Sequence, residues 1–521
     1  RLPVADGGVA DGLAGGRSVS AFSAAFAHGT ACGEGRVGRA GRGCTGRPGA
    51  SRTATAARAP RAAACRVSRM NVQASAAQSL ASLGDEARRI CQALLRMDTT
   101  NPPGNEQICA EYLIGLLAEV GYQPEMLEAV PGRTNLIVRH RGTGAKPPLL
   151  LTGHMDVVEA DPAQWRRPPF SGEEFEGCLW GRGAIDMKNM VAMCTAIMRR
   201  LAVTQARLSR DVIFAAVADE EAGCDLGSKF LVEKHRAKVE AEFAIGESGG
   251  FSLHMGETTF YPVQVAEKGL CWIRARVKGT PGHGSMPRRD SAVTRLGEAL
   301  AALGRAQLPV HPTKYVADFV EALRARQPAL IQPLIRLVSR PKLLARITRL
   351  VPNASSARSF AALLSNTASA TVVRAGNKTN VIPGVAEFEI DGRTLPGQTD
   401  EDLLRELRAV LGPEVELEIM RSAPPTTTEP VESPVYDAIR HQVEAREPGA
   451  VVVPYMIPGF TDGKYFSEMG ARWYGFSPVK IERESGIRFA DMFHGNDERV
   501  PIAGLVWGTE VLDAVVREIC A

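Results

Sequence analysis

No apolar run in this 521-residue sequence approaches the ~18–20 residues that cross a bilayer, which excludes a helical membrane span. The ten cysteines include no CxxC pair and keep no regular spacing, a usage that argues for reduced thiols in an intracellular, cytoplasmic protein. There is no Gly-x4-Gly-Lys-Ser/Thr loop to cradle a phosphate. A strong excess of either charge is also missing. The formal net charge is +4, and it is unevenly placed: residues 1–69 hold eleven Arg and no Lys against Asp6, Asp11 and Glu34, which is +8, so residues 70–521 carry −4. A slightly acidic main body gives no reason to expect nucleic acid as a partner.

What is present is ordinary globular composition. With 45% apolar and 23% charged residues, a chain disordered throughout and a fibrous protein are both ruled out. At ~100–200 residues per domain, the length predicts about three domains, or two with one carrying a long insertion. Residues 1–75 read as a leader rich in Gly, Ala, Arg and Ser that cannot bury enough surface to offset chain entropy. Its expected state is disorder, as sequence translated ahead of a start at Met70 or as an organellar transit peptide.

From residue 76 the pattern becomes orderly. Helical spacing runs over 82–97, a second helix follows with Asn105 as its expected cap, and short apolar runs at 135–140, 148–153 and 211–218 read as strands separated by a helix at 188–201. This alternation predicts an α/β domain with a central sheet flanked by helices and sites at the carboxyl ends of strands. Its first part spans 76–266. Over 267–424 the texture changes to a small ββαβ-type α+β unit, within which 306–368 is a long helical insert, and 425–521 returns to the first domain. The stretch 328–352 mixes Leu and Ile with Arg and Lys but is broken by four prolines, so a solvated helical flap is expected over a membrane-surface helix.

Five segments carry the chemistry: His154-Met-Asp156, Asp186-Met-Lys-Asn, Glu220-Glu221, Glu247 and His494-Gly-Asn. They supply two imidazoles and five carboxylates, a nitrogen and oxygen set without Cys that suits Zn²⁺, with Co²⁺ or Mn²⁺ as alternatives. His154 and Asp156, two apart at a strand end, point to one face, so the carboxylate can accept the ring N–H and orient the imidazole. The side chains of Glu220 and Glu221 diverge, which lets one bind metal while the other moves a proton. Alone, each segment has a plainer reading: a surface turn, a solvated charge doublet, a helix N-cap, a loop histidine.

Taken in order, the segments LLLTGHMDVV (149–158), WGRGAIDMKN (180–189), ADEEAG (218–223), IGESGG (245–250), GTPGHGSMP (279–287), NKTNVIPG (377–384), DGRTLPG (391–397) and FHGNDERV (493–500) resemble the M20 family of dinuclear zinc metallopeptidases and deacylases. The resemblance implies two Zn²⁺ per chain. His154 would bind one metal, Asp186 would bridge both, Glu221 would be a ligand of one and Glu247 of the other, and His494 would complete the second. Asp156 and Glu220 would be catalytic, the first orienting His154 and the second acting as general base. The unit at 267–424 would be the lid and dimer interface of a homodimer. Its His283 would stabilise the oxyanion in the partner's site, with Asn380 near the same carbonyl, Arg393 on the substrate α-carboxylate, and Gly459 in the loop beside the substrate. Phe460 departs from the family's usual GGTD there.

The expected function is hydrolysis of amide bonds in N-acyl amino acids or short peptides next to a free α-carboxylate. Bound water is the nucleophile, so no Ser, Cys or Thr nucleophile is needed and none is read from the sequence. Two alternatives stay open: a narrow biosynthetic deacylase of the acetylornithine or succinyl-diaminopimelate type, and a non-catalytic metal-binding paralogue, which intact Glu220 disfavours.

Overall fold

The computed structural model describes residues 82–327 and 360–521, with scattered positions between them. The leader at 1–75 and most of the basic stretch 328–352 lie outside the described residues. The first helix, Leu83–Leu95, starts where Ser82 accepts a hydrogen bond from the Asp85 amide, and it buries Leu83, Ala87, Ile90, Cys91, Leu94 and Leu95 along one stripe. The second, Gln107–Glu119, differs from expectation at its start: Glu106 rather than Asn105 precedes the first turn, and no side chain caps it. The Glu106 carboxylate is instead taken up by Arg133 at 2.8 Å.

The strands before the change of texture are β1 (Glu125–Val130), β2 (Arg133–His140), β3 (Leu149–His154), β4 (Glu173–Phe175), β5 (Cys178–Trp180), β6 (Val212–Val217), β7 (Phe243–Gly246), β8 (Leu253–Met255) and β9 (Thr258–Glu267). Next come β10 (Gly269–Lys278), β11 (Gly282–His283), β12 (Thr367–Ala375), β13 (Val381–Ile382), β14 (Val385–Thr394) and β15 (Val415–Ala423). The chain closes with β16 (Thr426–Thr427), β17 (Val451–Ile457), β18 (Arg472–Gly475) and β19 (Arg499–Pro501). The large sheet is mixed, in the order β1-β2-β6-β3-β7-β18-β9-β16, with β17 and β8 also on β9. At its centre β3 lies parallel to both β6 and β7. These three are buried on both faces, which is why they read as unbroken apolar runs rather than alternating ones. Leu149 and Leu151 enter one core, with the helices Leu83–Leu95, Lys188–Val203 and Ile502–Cys520. Leu150 enters the other, with Leu231 and Phe466 from the short helices Ser228–Lys234 and Gly463–Glu468.

The second sheet has the order β12-β14-β10-β15, all antiparallel. With the helices Ala292–Arg305 and Asp400–Leu411, the chain runs strand, helix, two strands, helix, strand, a split β-α-β arrangement richer than the ββαβ unit expected. One face buries Cys271, Ile273, Ala275 and Val277 against Phe388, Leu296 and Leu403 in a core of its own. The unit leaves the large sheet after Glu267 and re-enters it at Thr426, which pairs with Glu267. Its two connections therefore lie side by side.

Candidate functional site

Parallel strands deliver their carboxyl ends to one edge of the sheet, and five segments meet there. His154 ends β3 and is fully buried. Its Nδ1 bonds the main-chain carbonyl of Asp156 at 2.9 Å, while the Asp156 carboxylate stands 3.6 Å away, so the ring is oriented by backbone rather than by the side chain expected from the spacing. The Asp156 carboxylate instead accepts the amides of Glu220 and Glu221, both at 3.1 Å, and the side chain of Asn101 at 2.8 Å. It thus holds the main chain of the two glutamates that follow β6.

Beneath that turn lies a buried scaffold absent from the sequence reading. Arg133 pairs with Glu106 through two hydrogen bonds of 2.8 Å and with Asp219 at 2.9 Å, and Asn101 reaches Asp219 at 3.2 Å. Asp219 has φ 66, so the chain turns sharply just before Glu220. Spacing cannot reveal this group, because its members come from separate loops and strands.

Glu247 follows β7. A Cβ on Gly246 would lie 2.1 Å from the Trp473 ring, so only glycine lets the indole pack over this strand end. Asp186 lies in the loop before the helix Lys188–Val203, and His494 follows the turn Phe489–Met492. The Nε2 of His154 is 3.0 Å from Asp186 Oδ1, 3.9 Å from Glu247 Oε2 and 4.0 Å from Glu220 Oε2. On the far side of Asp186, the Nε2 of His494 is 3.1 Å from Oδ2 and 3.0 Å from Glu221 Oε2. Two compact groups result, His154–Asp186–Glu247 and Asp186–Glu221–His494, each with one ligand atom per residue inside 4.8 Å, and they share Asp186. A third, His154–Glu220–Glu221, overlaps both.

The electrostatics of this cluster are incomplete without cations. Burial, reinforced by Glu247, pushes Glu220 well above the usual carboxylate range, and burial with the Asp186 charge pushes Glu221 up to about 7. Glu247 is likewise raised, first by burial. Burial alone would depress His494, but Asp186 and Glu221 outweigh it and hold the ring up at about 10. Glu221 Oε1 and Glu247 Oε1 are buried without a hydrogen-bond donor. Unpaired carboxylate oxygens this deep are costly, and divalent metal ions are the partners that nitrogen and oxygen donors in this arrangement suit.

Other expected residues fall elsewhere. His283 and Asn380 share the β11–β13 ribbon, where the Gly284 amide donates to the Asn380 carbonyl at 2.9 Å; both side chains are exposed. Among the described residues neither forms a hydrogen bond or ion pair with the cluster. Arg393 is paired with Asp391 at 2.8 and 3.2 Å, lies 5.2 Å from the Phe460 ring centre, and keeps a buried, unpartnered Nη1. Gly459 sits in the same loop as Thr461, whose amide and hydroxyl donate to the buried Glu267 at 3.0 and 2.8 Å. The pentad Gly246–Gly250 does spell Gly-x-Ser-x-Gly around Ser248, contrary to the reading that found no nucleophile there. It turns from β7 towards strand β8, however, not into the helix that a serine elbow requires. A ladder of rings, Phe251 on Phe489 at 3.9 Å, then Phe493, ends on the His494 imidazole at 4.7 Å.

Residues 150–518 match peptidase family M20/M25/M40. The chain is similar to an N-fatty-acyl-amino acid synthase/hydrolase of Xenopus tropicalis, 29% identical over 363 residues, covering 68% of this chain and 69% of that protein. It is 29% identical over 379 residues to a probable carboxypeptidase S-like protein of Dictyostelium discoideum, covering 68% of each. Its fold is like that of an M20 family metallo-carboxypeptidase from Sulfolobus solfataricus, with a TM-score of 0.62 at 17% identity, over 83% of this chain and 99% of the other.

Proposed function

Because the chain belongs to peptidase family M20/M25/M40 and is a metal-dependent hydrolase, we propose that it cleaves the amide bond of N-acyl amino acids or short peptides beside a free α-carboxylate. The observation that carries this reading is the sharing of Asp186 between two ligand groups. His154 and Glu247 would hold one zinc ion and Glu221 and His494 the other, with Asp186 between them; cobalt or manganese suits the same donors. When bound, the metal pair activates a water molecule and polarises the scissile carbonyl.

Glu220 takes a proton from the attacking water and passes it to the leaving amine. Its burial and the neighbouring Glu247 raise its proton affinity in the direction a general base needs. Asp156 keeps that base in place through the Glu220 and Glu221 amides. The small sheet acts as a lid and a self-association surface, and His283 of the partner subunit stabilises the oxyanion, which fits its exposure on the single chain. Asn380 contacts the same carbonyl, and Arg393 offers its free Nη1 to the substrate carboxylate beside Gly459. The Phe251–Phe489–Phe493 ladder gives an acyl group an apolar wall next to His494.

The test is metal content and amidase activity of the wild type and Glu220→Ala on a panel of N-acyl amino acids and dipeptides. Two metal ions per chain in both proteins, with turnover falling ~10²–10⁴-fold in the variant, are expected. Undiminished turnover would remove Glu220 from its role. Turnover of one panel member alone would favour a narrow biosynthetic deacylase.

A further inference from the structure

Glu498 is fully buried, four residues beyond His494, and its carboxylate is spent entirely on the loop that carries Asp186. Oε1 accepts the amides of Ile185 at 2.7 Å and Asp186 at 3.1 Å. Oε2 accepts the amide of Gly183 at 3.0 Å and Nη1 of Arg182 at 2.8 Å. The Glu498 carbonyl takes the Gly181 amide at 3.0 Å, and β19 pairs with β5 immediately beyond. The chain beyond His494 is therefore joined to the loop bearing Asp186 from Glu498 onward.

The other ligands are placed differently. His154 and Glu247 stand at the ends of β3 and β7, fixed by the central sheet itself. His494 has no such support: it lies in a loop at φ 55, with its side chain about half exposed.

We propose that Glu498 is a positioning residue that sets Asp186 and His494 at the separation needed to hold the second metal ion. The proposal rests on the two-metal reading above and extends it to a residue that touches neither metal nor substrate. Truncating or neutralising Glu498 should loosen most the site formed by Asp186, Glu221 and His494, which takes two ligands from the joined segments, and less the one formed by His154, Glu247 and Asp186, which takes only Asp186 from them.

The experiment is a titration of chelator-stripped full-length protein with Co²⁺, followed by calorimetry and visible absorption, for wild type and Glu498→Gln. Expected are two ions per chain in the wild type. In the variant one ion should bind ~10–100-fold more weakly, the usual cost of losing an outer partner of a metal ligand, and the other should lose distinctly less. Two ions at wild-type affinity would overturn the proposal, and so would equal weakening of both in a folded variant. If Glu498→Gln does not fold, Glu498→Asp, which keeps the charge but withdraws it by one methylene, is titrated against the same criteria. A wild type that binds fewer than two ions would instead defeat the two-metal reading, an outcome visible before any variant is made.

Discussion

The buried cluster and the small sheet handle charge in opposite ways. Around Asp186, the carboxylates and the His154 imidazole are buried, and Glu221 Oε1 and Glu247 Oε1 are left without a hydrogen-bond donor. Across the open face of the small sheet, Arg274 faces Glu418, Arg276 faces Glu387 and Lys278 faces Glu416, each pair partly exposed. Exposed pairs of that kind contribute roughly 0–1 kcal/mol, because water screens them. Charge in the cluster is an unmet demand for cations, whereas charge on the sheet is solvation. A site can therefore be located by where ionisable groups remain unsatisfied, not by where they are numerous.

The largest expected effect lies under the cluster. Arg133→Ala leaves Glu106 and Asp219 buried without their cation, which should cost ~3–5 kcal/mol of stability in denaturant unfolding. A loss under 1 kcal/mol would mean this region tolerates unpaired charge as the sheet does, and the contrast would break. His283→Ala sharpens the comparison from the other side. Metal content and unfolding midpoint should stay at wild-type values while turnover falls by ~10²–10³-fold, the cost of an oxyanion donor. Loss of metal would place His283 among the ligands.

The smallest effect belongs to the seam between the two regions. Burial pushes Glu267 up from 4.5 to about 7 against the opposing Thr461 hydrogen bonds. The folded protein thus holds a proton that the unfolded chain releases, so wild-type stability should fall as pH rises from 4.5 to 7. Glu267→Gln lacks that group and should gain on the wild type by up to ~3 kcal/mol over the same window. A pH-independent difference between the two proteins would rule the buried carboxyl out.

How much of this was legible in the chain follows from the same contrast. The ends of β3 and β6 could be read because fully buried parallel strands leave continuous apolar runs, at 148–153 and 211–218. His154 and Glu220 stand out in the sequence at or just beyond those runs, and Glu247 by its place in the glycine-flanked segment 245–250. Asn101, Glu106, Arg133 and Glu498 left no such mark. Each serves through hydrogen bonds to loops distant in sequence, and a lone charged residue between apolar ones has the spelling of a surface residue. The cap expected at Asn105 failed for a related reason: Glu106 is engaged by Arg133 from another strand, and tertiary pairing overrode the local rule. In the small sheet β10 alternates buried Cys271, Ile273, Ala275 and Val277 with half-buried residues, whereas His283 and Asn380 lie exposed at the β11–β13 ribbon.

Anomalous diffraction from crystals of the zinc-loaded protein tests the central claim most directly. Two peaks about 3.5–4 Å apart are predicted, flanking the Asp186 carboxylate, one beside His154 and Glu247 and the other beside Glu221 and His494. A single peak, or a pair that Asp186 does not separate, would contradict the account.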